Sequence, residues 1–293
     1  MKIFGIVKNF LRNVQTPPEK TDPSTPRTFK DYVRYFLFGL LLVYFLMIFP
    51  PIANLRIFLP DGIEQSKNFL LFVAHPDDEC LFFSPTILGL IARNKLGHIV
   101  VISTGNSQGL GPLREKELIQ SCEILNIPST RCLALNITNM QDDPKHWWPK
   151  DNLSQIIDHY IKSFQADLVI TFDRGGISGH VNHRSIAWAM EYYISQTKKT
   201  PLIYQLSTVS SLFEYTSIVD LFRTLLKFLP RIFRWLLRLN NDYRVLFVNS
   251  PWKYVQALRA FHAHRSQVLW YRHLYTSFSR HMFINDLIQI SPC

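Results

Sequence analysis

The stretch NFLLFVAHPDDEC, Asn68 to Cys80, decides how this chain is read. Six apolar residues, Phe69 to Ala74, run unbroken into a histidine, a proline and three consecutive acids. A short apolar run ending in a turn signal reads as a strand buried on both faces. Bringing three carboxyls to the end of such a strand is costly, because like charges in a partly buried place repel and lose hydration. A divalent cation relieves that cost. His75 and Asp78 stand three residues apart, so a tight turn lets both meet one ion. A hydrolytic Zn2+ site takes three protein ligands and keeps one position open, so a third ligand is expected from another loop.

Working outward, strands and helices alternate. FLLFVA and HIVVIST read as buried strands, LREKELIQSCEIL as a helix, TRCLALNI as a strand and NLSQIIDHYIKSF as a helix. ADLVITFD is a strand, HRSIAWAMEYYIS a helix and LIYQLS a last strand. The pattern predicts an α/β fold, a Rossmann-like and mostly parallel sheet with helices on both faces. Ligands of such sheets bind beyond the carboxyl ends of the strands. A second polar cluster falls there too, SGHVNHRS after ADLVITFD. His180 and His183 lie three apart, one turn of a helix if a helix begins there. The preceding GGISG lets the backbone approach another loop. One of these imidazoles completes the metal site, and the other donates a hydrogen bond to developing negative charge. Asp77, beside the ligands, is placed to take a proton from water and return it to a leaving amine. These parts suit metal-assisted amide hydrolysis.

The chain has 293 residues, 47% of them hydrophobic, and a formal net charge of +10. That charge favours anionic partners. Zinc-finger spacing, an aromatic RNA-binding signature and dense Lys/Arg runs are missing from the sequence, which sets nucleic acid aside in favour of an acidic membrane surface. Residues 1–34 read as a flexible basic tail around TPPEKTDPSTPRT. Tyr35 to Leu55 carries no charge. At 1.5 Å per residue about 20 residues cross a ~30 Å hydrocarbon core, so this segment is expected to be a single transmembrane anchor. The catalytic domain is assigned to residues 67–293. Within it, residues 217–240 place Arg223, Lys227, Arg231, Arg234 and Arg238 on one helical stripe, against Leu, Phe, Ile and Trp elsewhere. The expectation is an amphipathic helix on a membrane surface, bent or broken near Pro230. Cys80, Cys122, Cys132 and Cys293 show no paired spacing and read as reduced thiols.

Taken together, AHPDDE (Ala74 to Glu79) and SGHVNH (Ser178 to His183) resemble the PIG-L/LmbE-like family of metal-dependent sugar de-N-acetylases. STGNSQGLGPLREKEL, ITFDRGGISGHVNH and AHRSQVLWYRHLYTSFSRHMFIN resemble members that act on N-acetylglucosaminyl-phosphatidylinositol in the second step of GPI anchor biosynthesis. The resemblance spans Lys67 to about Asn285. It implies His75, Asp78 and His183 as ligands of Zn2+ or another divalent metal, Asp77 as general base and His180 as the oxyanion-stabilising imidazole. It also implies a glycolipid substrate that Arg114 binds through its phosphate. Read from its neighbours alone, Arg114 is equally a surface partner of Glu117. His262 and His264 are assigned to substrate-side contacts or packing. Trp147 and Trp148 are assigned to stacking on sugar, contact with lipid or loop packing, and Asp142 and Asp143 to sugar hydroxyls.

The resemblance places the protein in the endoplasmic reticulum membrane with its catalytic domain in the cytosol. The basic tail argues the opposite orientation. Sequons at Asn136 and Asn152, inside the catalytic domain, favour the cytosolic side, since a lumenal domain would risk glycosylation. No sign of a partner subunit is legible. Two rival readings are a deacetylase of a different N-acetylglucosaminyl substrate and a non-catalytic lipid-binding scaffold.

Overall fold

A computed structural model describes residues 28–48, 56–237 and 243–291. The chain divides into two units, Met1–Phe45 and Leu46–Cys293. The expected basic tail lies mostly outside the described residues. Helix α1 (Phe29–Ile48) begins six residues before the expected anchor and takes in Lys30, Asp31 and Arg34. The rest of that segment, residues 49–55, lies outside the described residues. Among the described residues no helix is long and apolar enough to cross a membrane.

The second unit follows as β1 (Asn68–Val73), α2 (Asp78–Leu81), α3 (Ser84–Ile91), β2 (Leu96–Val101), α4 (Gly111–Ile124), β3 (Cys132–Ala134), α5 (Lys150–Ser163) and β4 (Leu168–Phe172). Then come α6 (Val181–Gln196), β5 (Leu202–Leu206), α7 (Asp220–Leu236), β6 (Arg244–Val248), α8 (Pro251–Ala263), α9 (Trp270–Phe278) and β7 (Ile284–Gln289). The sheet order is β3-β2-β1-β4-β5-β7-β6. Strands β1 to β5 run parallel, while β7 is antiparallel to both β5 and β6. The apolar run legible in the sequence is the sheet centre: Phe69, Leu70, Phe72 and Val73 are 0% exposed. Each such side chain contributes about 1.5–3 kcal/mol by leaving water.

Strand order reverses between β1 and β4, which lie side by side with Phe69 opposite Leu168 and Leu71 opposite Ile170. Right-handed crossovers on either side of such a reversal send helices to opposite faces and open a crevice at the strand ends. Helix α5 packs on α6, while α8 packs on α4, α2 and α3. The turn carrying His75 and the start of α6 carrying His183 therefore lie side by side at the carboxyl ends of β1 and β4.

The structure corrects four expectations. LIYQLS is not the last strand, because β6 and β7 extend the sheet beyond it. Helix α7 is unbroken, with Pro230 inside it. The basic stripe of α7 is not presented to solvent as a whole: Arg231 is buried and donates to the carbonyls of Ile57 and Arg244, and Arg223 is held by Asp220. Arg238 lies outside the described residues. The outward band of α7 is apolar instead, formed by Phe222, Leu226, Leu229, Phe233 and Leu236. Fourth, Cys122 and Cys132 are joined as a disulfide, with Cα atoms 6.5 Å apart, while Cys80 is free and buried. The end of α4 returns directly to β3, and that proximity is invisible in a ten-residue spacing. Cys293 lies outside the described residues.

Candidate active site

Two strand ends build the site. After β1 the chain turns through His75, Pro76 and Asp77 into α2. Asp77 has φ +108°, in a region that side chains rarely occupy. After β4 it passes Gly176 at φ +60° and Ile177 at φ +63°, a strained position for a β-branched residue, before α6 starts. His180 caps α6: its Nδ1 accepts the backbone N–H of Asn182 at 3.2 Å.

These turns bring His75, Asp78, His180 and His183 together. Asp78 Oδ2 lies 3.8 Å from His75 Nδ1 and 3.4 Å from His183 Nε2. The ring of His180 is 4.9 Å, centre to centre, from each of the other two imidazoles. Neighbours set the tautomers. His75 Nε2 faces two oxygens at 3.1 Å, from Asp142 and Asn182, so that nitrogen carries hydrogen and Nδ1 keeps its lone pair. His183 Nδ1 donates to Gly176 O at 3.1 Å, which leaves Nε2 as a buried lone pair without a hydrogen-bond partner among the described residues. Asp78 Oδ2 is held in place by the N–H groups of Ala74 and His75, at 3.0 and 2.9 Å. Two imidazole lone pairs thus converge on one carboxylate oxygen, a donor set that fits a divalent cation. His75, His180 and His183 also offer ligand atoms within 4.8 Å of one another.

The electrostatics favour positive charge here. Burial works against a charged His75, yet the Asp142 contact and the nearby carboxylates hold its pKa above the ordinary value. Burial also works against an ionised Asp78, but His183 and His75 bring it below the usual carboxylate range. Asp142 is held at about 2, burial being outweighed by His75, Ser107 and Arg114. Burial and the charges of His75 and His183 lower His180 to about 4, so it is a neutral imidazole near pH 7. With Nδ1 accepting, its Nε2 carries the hydrogen.

Asp77 stands between two guanidinium groups, with Arg114 Nη2 3.6 Å from Oδ1 and Arg272 Nη2 3.5 Å from Oδ2. Burial raises its pKa, and Arg272 and Arg114 pull against that rise without cancelling it. Oδ2 has no hydrogen-bond partner among the described residues. Arg114 is buried rather than paired with Glu117; it donates to Gly105 O at 3.1 Å, and Glu117 instead holds Ser266. A Cβ at Gly105 would collide with this guanidinium. Behind Asp77, Glu79 Oε2 accepts the Asp77 N–H at 3.0 Å, while Oε1 meets His264 Nε2 at 2.7 Å and Ser121 Oγ at 2.6 Å.

Arg272 and Glu79 were not singled out by the sequence reading. The signal for Arg272 was a lone cation within the aromatic run Trp270 to Tyr275. His262 and His264 do not form a pair: His262 is exposed and His264 is fully buried on Glu79. Trp148 is buried, its Nε1 donating to Gln141 O, and Trp147 stacks on Trp188. Asp142 faces His75 and Arg114, whereas Asp143 accepts the Lys145 N–H.

The doubly wound sheet is a fold shared with solved deacetylases. The N,N'-diacetylchitobiose deacetylase from Pyrococcus horikoshii, complexed with its inhibitor MPG, superposes with a TM-score of 0.54 at 15% identity, covering 91% of this chain and 94% of that one. The family described as PIG-L, GlcNAc-PI de-N-acetylase, matches residues 70–193. The N-acetylglucosaminyl-phosphatidylinositol de-N-acetylase of Bos taurus is 38% identical over 231 residues, spanning 78% of this chain and 85% of that protein. A Dictyostelium discoideum protein named probable N-acetylglucosaminyl-phosphatidylinositol de-N-acetylase is 32% identical over 251 residues, spanning 76% and 93%. The chain belongs to the PIG-L family of de-N-acetylases.

Proposed function

We propose that this chain hydrolyses the N-acetyl group of N-acetylglucosaminyl-phosphatidylinositol, releasing acetate and leaving glucosaminyl-phosphatidylinositol. The observation that carries the mechanism is the convergence of the His75, Asp78 and His183 donor atoms beside the buried Asp77 carboxylate, whose Oδ2 has no hydrogen-bond partner among the described residues. His75, Asp78 and His183 would hold the metal, Zn2+ or another divalent ion such as Fe2+ or Mn2+. When bound, the metal supplies Lewis acidity that polarises the amide carbonyl and acidifies the attacking water. Asp77 takes a proton from that water as its oxygen bonds to the carbonyl carbon. His180 donates its Nε2 hydrogen to the developing oxyanion. Asp77 then passes the proton to the nitrogen as the C–N bond breaks, leaving a free amine and acetate. A carboxylate with a raised pKa is the stronger base for this exchange. Arg114 and Arg272 hold Asp77 ionised and oriented from both sides.

The substrate's lipid tails stay in a bilayer. The segment at 35–55 serves as the anchor, and the apolar band of α7, flanked by Arg223, Lys227 and Arg234, rests on the surface. The catalytic domain, 67–293, faces the cytosol from the endoplasmic reticulum. Exposed Asn136 and Asn152 support that side, while the joined Cys122 and Cys132 oppose it.

Changing Asp77→Ala is expected to abolish deacetylation of the glycolipid while the protein retains stoichiometric metal by elemental analysis. Turnover comparable to that of the parent chain would reject Asp77 as the base.

A further inference from the structure

The reaction cavity, about 320 Å3, is bordered by a second one of about 470 Å3. Phe82, Ser178, Tyr271 and Arg272 line both. The two spaces therefore share a wall, and a ligand whose acetamido group reaches Asp77 would meet the second space by passing Arg272. We propose that this second cavity is the aglycone subsite, holding the phosphoester and the glycerol end of an amphipathic glycolipid whose sugar occupies the first. The inference rests on the deacetylase reading and deepens it.

The chemistry of the walls selects this ligand class. Arg272 is the hinge between the two spaces. One end of its guanidinium, Nη2, faces Asp77 at 3.5 Å, and its Nε is buried with no hydrogen-bond partner among the described residues. A buried guanidinium N–H without an acceptor costs about 1–3 kcal/mol, which a ligand oxygen recovers. A phosphate oxygen suits the position, since guanidinium groups bind phosphate through paired donors. Past Arg272 the lining turns apolar, and a bare polyol would gain little there. Leu274 and Phe278 stand on the rim with 52% and 53% of their surface exposed, a wall open to hydrocarbon. Glu214 is the acid of this wall. Burial raises its pKa, with Arg280 pulling it down.

Two readouts on the full-length chain test the subsite. Dihexanoyl-phosphatidylinositol, which lacks the sugar, is titrated by calorimetry against parent chain, Leu274→Trp and Tyr215→Ala. Leu274 and Tyr215 are largely exposed, so neither change burdens the core. Leu274→Trp fills the mouth and is expected to weaken binding about tenfold, the scale set by misfit in an apolar pocket. Equal binding by parent and both variants overturns the proposal, as does equal binding by the parent of dihexanoylglycerol, which lacks the phosphate. In the second readout, the glycolipid is compared with N-acetylglucosaminyl-inositol. The kcat/KM ratio of lipid to short substrate is expected to fall about tenfold in Leu274→Trp, mostly through KM. A parallel loss on both substrates overturns the subsite. Absence of turnover in the parent chain would reject the deacetylase reading, and the phosphatidylinositol titration would still decide the subsite.

Discussion

Replacing His264 by alanine isolates the ion pair behind the active site. Glu79 and His264 are both 0% exposed, their facing atoms are 2.7 Å apart, and they join α2 to the end of α8. Removing one partner leaves a carboxylate in a place without water, a change that costs about 3–5 kcal/mol. With a urea m of about 3 kcal/mol/M, the unfolding midpoint falls by roughly 1–1.7 M. Glu79→Gln is milder by design, because the amide oxygen still accepts the Asp77 N–H and its NH2 can meet a neutral imidazole. Its expected cost is about 1 kcal/mol, one charge-assisted bond exchanged for a neutral one. The two changes should not add. Glu79→Gln placed on His264→Ala removes the stranded charge, so the double variant is expected to be more stable than His264→Ala alone. The signs with pH also follow. Glu79 is lowered from 4.5: burial opposes this, but His264 and Ser121 prevail. Its stability is present above 4.5 and is lost as pH falls through the folded value. His264 is raised from 6.5, burial being outweighed by Glu79, and its stability is present below 6.5 and lost as pH rises through the folded value. Tryptophan fluorescence during urea titration reads all of these. A His264→Ala cost below about 1 kcal/mol, or strict additivity in the double variant, would refute the reasoning.

Other outcomes follow from the same geometry. Arg114→Met removes one of the two cations beside Asp77, so the acidic limb of the pH–rate profile is expected to move up by about one unit; an unmoved limb would show that Arg114 does not tune the base. His281 is buried and kept neutral, burial first and Arg280 second pushing it well below 6.5. Stability is therefore full above 6.5 and falls on acidification by up to about 1.4 kcal/mol per pH unit, a slope that His281→Gln should flatten in denaturation curves measured from pH 7 to 5. With the catalytic domain in the cytosol, endoglycosidase treatment leaves the mobility of the cellular protein unchanged, and glycan at Asn136 or Asn152 would reverse the orientation.

The parts of the fold that were legible are those written locally. Strands β1 and β4 announce themselves as apolar runs, and the HPDD and HVNH spacings follow them at the strand ends. What escaped is held by distant polar partners. Strand β7 carries Asn285 and Asp286 into the core, where Asn285 binds Thr86 and Phe82 O, and Asp286 binds Arg280. Those inward polar residues break the apolar pattern that marks a buried strand. Strand β3 was expected over Thr130 to Ile137 and shrinks to Cys132–Ala134, the stretch in parallel register with Ile99–Val101. In α7, the stripe of arginines was legible as periodicity. Its direction was not, because whether Arg231 points inward depends on the carbonyls of Ile57 and Arg244.

The antiparallel strand at the end of the fold governs when the protein can be finished. β7 lies between β5 and β6, and Arg280, just ahead of it, clasps Asp220 from α7 and Asp286 from β7. While a ribosome is still translating residue 280, β5 is an open edge and β6 has no sheet to join. Completion of the domain therefore waits for residues through Gln289 to clear the exit tunnel, and a premature stop near codon 283 should be as damaging as one placed far upstream.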